Sequence, residues 1–137
     1  MSMSSLRELS IRSERRNQLI DITSGIQKIV DESGIKEGIA HIFVPHTTAA
    51  ITINENADPT VQTDIMSFLE KLIPEDANFR HSEGNSDAHI KSSIVGTHVA
   101  VFIADGRIVF GTWQGIYFCE FDGPRSRRAI IKIVPDK

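Results

Sequence analysis

A chain of 137 residues, 40% hydrophobic and 24% charged, has the length and composition of one globular domain spanning residues 1–137. That composition argues against disorder and membrane burial, and the formal charge of −3 argues against a broad nucleic-acid surface, though not against a local basic pocket. No signal-like start and no apolar run near the roughly 20 residues of a membrane span is present, so the cytoplasm is the expected compartment.

Leu9 and Ile11 alternate with polar neighbours, and Gln18 to Ile22 do the same. Two short strands are expected there, with Arg15, Arg16 and Asn17 as the turn between them. Thr23 suits the cap of a helix whose Ile26, Ile29 and Val30 share one face, ending at Ser33-Gly34. Gly38 to Pro45 and Thr48 to Asn54 read as strands too apolar to face water on either side. In "DPTVQTDIMSFLEKLIP", Asp58 is the expected cap, Pro59 suits the first turn, and Val61, Ile65, Phe68, Leu69 and Leu72 form the expected buried stripe. Glu75 to Ser86 is a polar loop, long enough to suggest a function. Ser86 or Asp87 then caps a short helix through Ile90, Ile94 and Val95, closed by Gly96. Asp105-Gly106 marks a tight type I′ turn inside "THVAVFIADGRIVF", and Ile116 to Phe121 and Ala129 to Val134 add two strands. The order predicts an α+β domain, with two to three helices on a mixed or antiparallel sheet. Apolar Ile116, Phe118 and Phe121 are more than one small sheet is expected to cover, which suggests burial between subunits.

Cys119 is the single cysteine, which excludes an intramolecular disulfide and a thiolate zinc cluster; its apolar, aromatic setting predicts a buried inert thiol. Five histidines form no local metal motif. His41 and His98 read as packing or edge positions. His46 stands at a strand-to-turn corner beside two threonines, His81 lies in the polar loop, and His89 falls in the first turn of the short helix. Three imidazoles on separate elements can converge on a metal, but spacing alone favours scattered surface histidines. Glu55, between Asn54 and Asn56, has no capping duty and is open to roles as metal ligand, general base or partner of His46. In "GTWQG", Trp113 is either a core plug or, with Gln114, one wall for a planar ring. In "DGPRSRR", Arg125, Arg127 and Arg128 form either a solvated turn or a phosphate cradle.

"HTTAAITINENADP", "FRHSEGN", "DAHIKSSIVG" and "GTWQGIYFCEFDGPRSRR" together resemble the YjbQ family, a secondary thiamine-phosphate synthase family, from about Gly38 to Val134. The resemblance implies a curved, sandwich-like sheet and a homotrimer with polar pockets near subunit boundaries. It also implies that His46, His81 and His89 are the motif histidines. Phe79 departs from the pattern, standing where a tyrosine is expected ahead of Arg80-His81, and so puts one hydroxyl contact in doubt. The implied chemistry joins a pyrimidine diphosphate to a thiazole phosphate and releases pyrophosphate, as the main reaction or as a side activity. On that reading His46, Glu55 and His89 are catalytic, and Trp113, Gln114, Arg125 and Arg127 bind substrate. His46, His81 and His89 hold a divalent metal, zinc or magnesium, and no organic cofactor is expected. The expected partner is a small phosphorylated molecule, with neither nucleic acid nor membrane. The alternatives are a metal-dependent hydrolase and a non-catalytic trimer that binds a metabolite.

Overall fold

The computed structural model describes residues 5–137. In chain order the elements are β1 (Leu6–Arg12), β2 (Gln18–Asp21), α1 (Thr23–Ser33), β3 (Gly38–Phe43), β4 (Ala49–Glu55), α2 (Pro59–Leu72), α3 (Ser86–Val95), β5 (His98–Ala104), β6 (Arg107–Ile108), β7 (Gln114–Glu120) and β8 (Ser126–Pro135). Five strands form one sheet in the order β1-β8-β3-β5-β6 and three form another in the order β2-β7-β4. All the pairings are antiparallel.

The larger sheet sends alternate side chains inward, among them Ile11, Ala40, Ile42, Val101, Ile103, Ala129 and Ile131. These meet Ala49, Ile51, Ile116 and Phe118 of the smaller sheet and Ile26, Ile29 and Val30 of α1 in one core. A second cluster covers the other face of the smaller sheet, where Ala50, Cys119 and Phe121 pack with Ala88 of α3 and with Met66 and Leu69 of α2. The smaller sheet is therefore covered on both faces, which accounts for the nearly continuous burial of β7. The larger sheet has an uncovered face, and Phe43 of β3 and Phe102 of β5 are exposed there.

Several expected details hold. Asp58 accepts a hydrogen bond from the Thr60 N–H with Pro59 following, and Gly34 ends α1 in the left-handed conformation. Asp105 and Gly106 both have positive φ between paired strands, as a type I′ turn requires.

Others change. The first two strands form no hairpin: β1 pairs with β8 and β2 with β7, so Ser13 to Asn17 crosses from one sheet to the other. Thr23 does not cap α1; the Asp21 carboxylate accepts from its N–H and hydroxyl, and Thr23 Oγ1 accepts from the Ile116 N–H. Ile116, Phe118 and Phe121 are fully buried within one chain, so they give no reason for an assembly. On α2 no residue is buried, and Phe68 and Leu72 are 64% and 61% exposed. Helix α3 is inverted: its buried residues are Asp87, Ala88, Lys91 and Ser92, while Ile94 is 63% exposed.

Candidate functional site

That inversion builds one wall of the site. Asp87 and Lys91, one helical turn apart, turn inward and pair at 3.1 Å, and Arg16 from the sheet-to-sheet crossover reaches the second Asp87 oxygen at 2.9 Å. Lys91 Nζ also reaches Asn17 Oδ1 at 3.2 Å and lies 5.8 Å from the Phe121 ring centre. Two buried charges in one helix are tolerated only because each is paired and hydrogen-bonded. The arrangement clamps α3 to the crossover and leaves His89 lining a cavity of about 760 Å³, a volume typical of small-molecule sites. The same cavity is lined by His46 and Thr48 from the β3–β4 connection, His81 from the polar loop, and Asp122, Arg125 and Arg127 from the β7–β8 region.

Arg127 takes the inward parity of β8, in step with Ala129 and Ile131, so its guanidinium enters the end of the sandwich and not the solvent. There it meets Glu120, the last residue of β7, through Nε at 2.8 Å and Nη2 at 2.5 Å. Nη2 also donates to Thr48 Oγ1 at 2.8 Å. Burial works to raise the Glu120 carboxyl, but donation from Arg127, Ser13 and the Asp122 N–H outweighs it and holds the group below the ordinary 4.5. Arg125 is half exposed and donates through Nε to the Asp122 carbonyl and through Nη2 to its carboxylate at 3.2 Å. Asp122 also accepts from Asn85 Nδ2 at 2.9 Å and lies 3.5 Å from Arg16. Arg128 turns to the outer face and pairs with Glu8. Every arginine of the cluster thus has its own carboxylate, and in the two that line the cavity, Arg125 and Arg127, Nη1 carries no hydrogen bond to a described residue.

His46 Nε2 accepts a hydrogen bond from the Arg128 backbone N–H at 3.1 Å. The lone pair is therefore on Nε2 and the proton of the neutral ring on Nδ1. Burial, and then the Arg127 charge, hold its pKa below the ordinary 6.5. The ring is a hydrogen-bond donor as arranged, since turning Nδ1 into a metal ligand would set Nε2–H against the Arg128 N–H. His81 and His89 meet edge to face with ring centres 5.5 Å apart, and His81 Nε2 stands 3.8 Å from Glu83. Among the described residues no three His, Cys, Asp or Glu side chains are gathered as a metal would need. The three motif histidines share one cavity without forming a ligand set.

Glu55, Trp113 and Gln114 lie elsewhere. Glu55 is directly opposite Gln114 at the far end of the smaller sheet, and the Trp113 carbonyl accepts from the Asn56 N–H. The seven residues of β4 span about 20 Å, so within one chain these groups do not reach His46. Gln114 Oε1 is turned back onto the Gly111 N–H, and Trp113 is 61% exposed, not a core plug. Sequence reasoning passed over Glu120, Asp122, Asn85 and Thr48. The readable signals were a carboxylate inside the apolar run Tyr117–Phe121 and the period-two register of Arg127 with Ala129 and Ile131. His41 and His98, taken as packing or edge positions, meet each other on the uncovered sheet face.

The fold and cavity define a class: a small α+β sandwich whose polar cavity sits where strands leave both sheets. The chain belongs to the UPF0047 protein YjbQ-like family, whose model matches residues 7–136. It is 58% identical over 127 residues to a UPF0047 protein of Methanocaldococcus jannaschii, covering 93% of this chain and 92% of that one. It is 49% identical to the UPF0047 protein YugU of Bacillus subtilis, over 94% of this chain and 98% of the relative. A solved structure from Clostridium acetobutylicum, described as an uncharacterized conserved protein of this family, superposes with a TM-score of 0.92 at 52% identity, covering 93% of this chain and 99% of that one. One from Sulfolobus solfataricus, described as of unknown function, gives 0.91 at 33% identity over 96% of each chain. No helix among the described residues is long and apolar enough to cross a membrane.

Proposed function

We propose that the chain is a small-molecule enzyme acting on a phosphorylated substrate, with thiamine phosphate formation as its reaction. The observation that carries this reading is the convergence of Arg125, Arg127 and a neutral, Nδ1-protonated His46 on one cavity of ligand size. Cationic forks and an uncharged donor in a partly desolvated cleft suit a phosphate or diphosphate better than a neutral ligand.

In that reaction the thiazole nitrogen attacks the pyrimidine methylene, the C–N bond forms, the C–O bond to diphosphate breaks, and the electron pair leaves with pyrophosphate. The spare Nη1 donors of Arg125 and Arg127 and the His46 Nδ1–H stabilise the charge growing on the leaving group. His89 and His81, which line the same cavity, protonate it on departure in this reading. Glu55, Trp113 and Gln114 cannot join them from the same chain. We assign that edge to a neighbouring copy in a homotrimer, with the exposed Trp113 supplying the ring wall. Apolar surface on α2 and α3, at Phe68, Leu72 and Ile94, supports assembly in the place of the buried strand residues.

The test is a turnover assay with the pyrimidine diphosphate and thiazole phosphate pair, reading pyrophosphate release. Wild type turns over, and His46→Ala and His89→Ala do not. A wild type that binds pyrophosphate without turning over the pair would move the reading to a metabolite-binding module.

A further inference from the structure

The uncovered face of the larger sheet carries a second histidine pair, whose members do not line the cavity although Phe43, opposite His98, and the adjacent Thr97 do. β3 and β5 run antiparallel with His41 opposite Ala100 and Phe43 opposite His98, so the two histidines are diagonal neighbours on one face. His98 is exposed and His41 partly so. His41 Nδ1 lies 3.0 Å from His98 Nε2, the ring planes are only 11° apart, and the ring centres are separated by 5.2 Å. The separation of centres exceeds the N···N distance by about the two ring radii. The nitrogens therefore face each other along the line of centres, and the rings lie edge to edge, not one above the other. One proton sits between two in-plane lone pairs.

We propose that this pair is a two-coordinate site for a soft monovalent d10 cation, Cu(I) being the biological example. Imidazole nitrogen is a good ligand for late first-row metals. Opposed, collinear donors match the linear geometry of a d10 monovalent ion and not the tetrahedral shell of zinc. Bonds of roughly 2 Å on each side of one ion need the nitrogens about 4 Å apart, which the exposed rings reach by moving about 1 Å. The surroundings favour low charge. Lys132 is directly opposite His41 on β8, and the remaining register partners are Ala100 and Phe43, so no register partner of either histidine is a carboxylate. A divalent ion would meet the lysine charge with only water to complete its shell, whereas a monovalent one needs neither more ligands nor counter-charge. The ion displaces the shared proton, so protons compete with it for the pair.

The test uses Ag(I) as a redox-inert probe, in chloride-free buffer at neutral pH, followed by the nitrogen chemical shifts of labelled histidine side chains. His41 Nδ1 and His98 Nε2 shift together with one ion per chain, and His98→Ala weakens binding at His41 at least tenfold. Zn(II) at the same concentration leaves both nitrogens unshifted, and Lys132→Glu lets it bind. His41→Ala serves as the reciprocal variant, with an unchanged thermal melt confirming that both proteins fold. Absence of the paired shift, or equal Ag(I) binding in wild type and His98→Ala, overturns the site. Zn(II) binding as tight as Ag(I) in wild type overturns the monovalent assignment.

Discussion

Arg125 and Arg127 are two residues apart and of one chemical type, yet the structure gives them different work. Arg127 is 6% exposed and forked onto a carboxylate with no exposure at all. Removing it leaves the buried Glu120 charge with only the Ser13 hydroxyl and the Asp122 N–H, and a broken buried pair costs about 3–5 kcal/mol. Arg127→Ala should therefore unfold at clearly lower denaturant concentration. Arg125→Ala removes a half-exposed guanidinium from a carboxylate that keeps Asn85 and Arg16, and should change stability by less than about 1 kcal/mol in a urea titration, while its anion binding falls. Equal stability of the two variants would remove Arg127 from the structural role. His46 adds a pH dependence. Its folded pKa lies below 6.5, so the unfolded chain binds more protons in the window beneath that value, and stability is complete above 6.5 and falls as pH drops through the window. Glu120, held below 4.5, loses its contribution only further down. Urea unfolding at about pH 7.5 and about pH 5 therefore isolates the histidine, and His46→Gln should show the shallower loss. At this scale the sequence showed which residue types matter but not their direction: three arginines in a row of seven residues say nothing of which faces inward until the β8 register is known.

At the scale of elements, patterns tied to one local rule were legible and patterns that depend on a neighbour were not. The Asp58 cap with Pro59, the αL Gly34 and the Asp105-Gly106 turn follow from backbone chemistry within four residues. The stripes of α2 and α3 failed because amphipathicity says that a helix has two faces, not which one the chain itself covers. On α3 the polar face is inside, held by Arg16 from far away in sequence. Lys91→Met leaves Asp87 paired with Arg16 alone and should destabilise by less than the about 3–5 kcal/mol of a fully orphaned buried charge. Ile94→Ser should leave the isolated chain nearly unaffected in the same denaturation experiment. The "GTWQG" glycines also divide. A Cβ on Gly115 would stand 2.5 Å from Asn56 Nδ2 and 3.0 Å from Thr23 Oγ1, so this glycine makes room where β4, β7 and α1 converge. Gly115→Ala should cost about 1–3 kcal/mol by overpacking, read from the thermal melt. An unchanged melt would show that Asn56 swings aside freely.

For the whole molecule, the α+β class, the family and, through the resemblance, a sandwich-like sheet were readable from motif order, and the strand pairing was not, because β1 and β2 look like a hairpin until their partners on β8 and β7 are seen. The site was half legible. His46, His81, His89, Arg125 and Arg127 do share a cavity, while Glu55, Trp113 and Gln114 fall at the opposite end of the smaller sheet because a strand separates what the sequence places side by side. The proposed homotrimer reunites these halves, and light scattering should return three times the monomer mass, with Trp113→Ala lowering turnover without loosening pyrophosphate. The central claim is that the cavity holds a phosphate through Arg125. Calorimetric titration of inorganic pyrophosphate tests it most directly. Wild type should show one site per chain, and Arg125→Ala about tenfold or greater weakening, the loss of a charge-assisted contact. No measurable binding to wild type, or equal affinity in the two proteins, would contradict it.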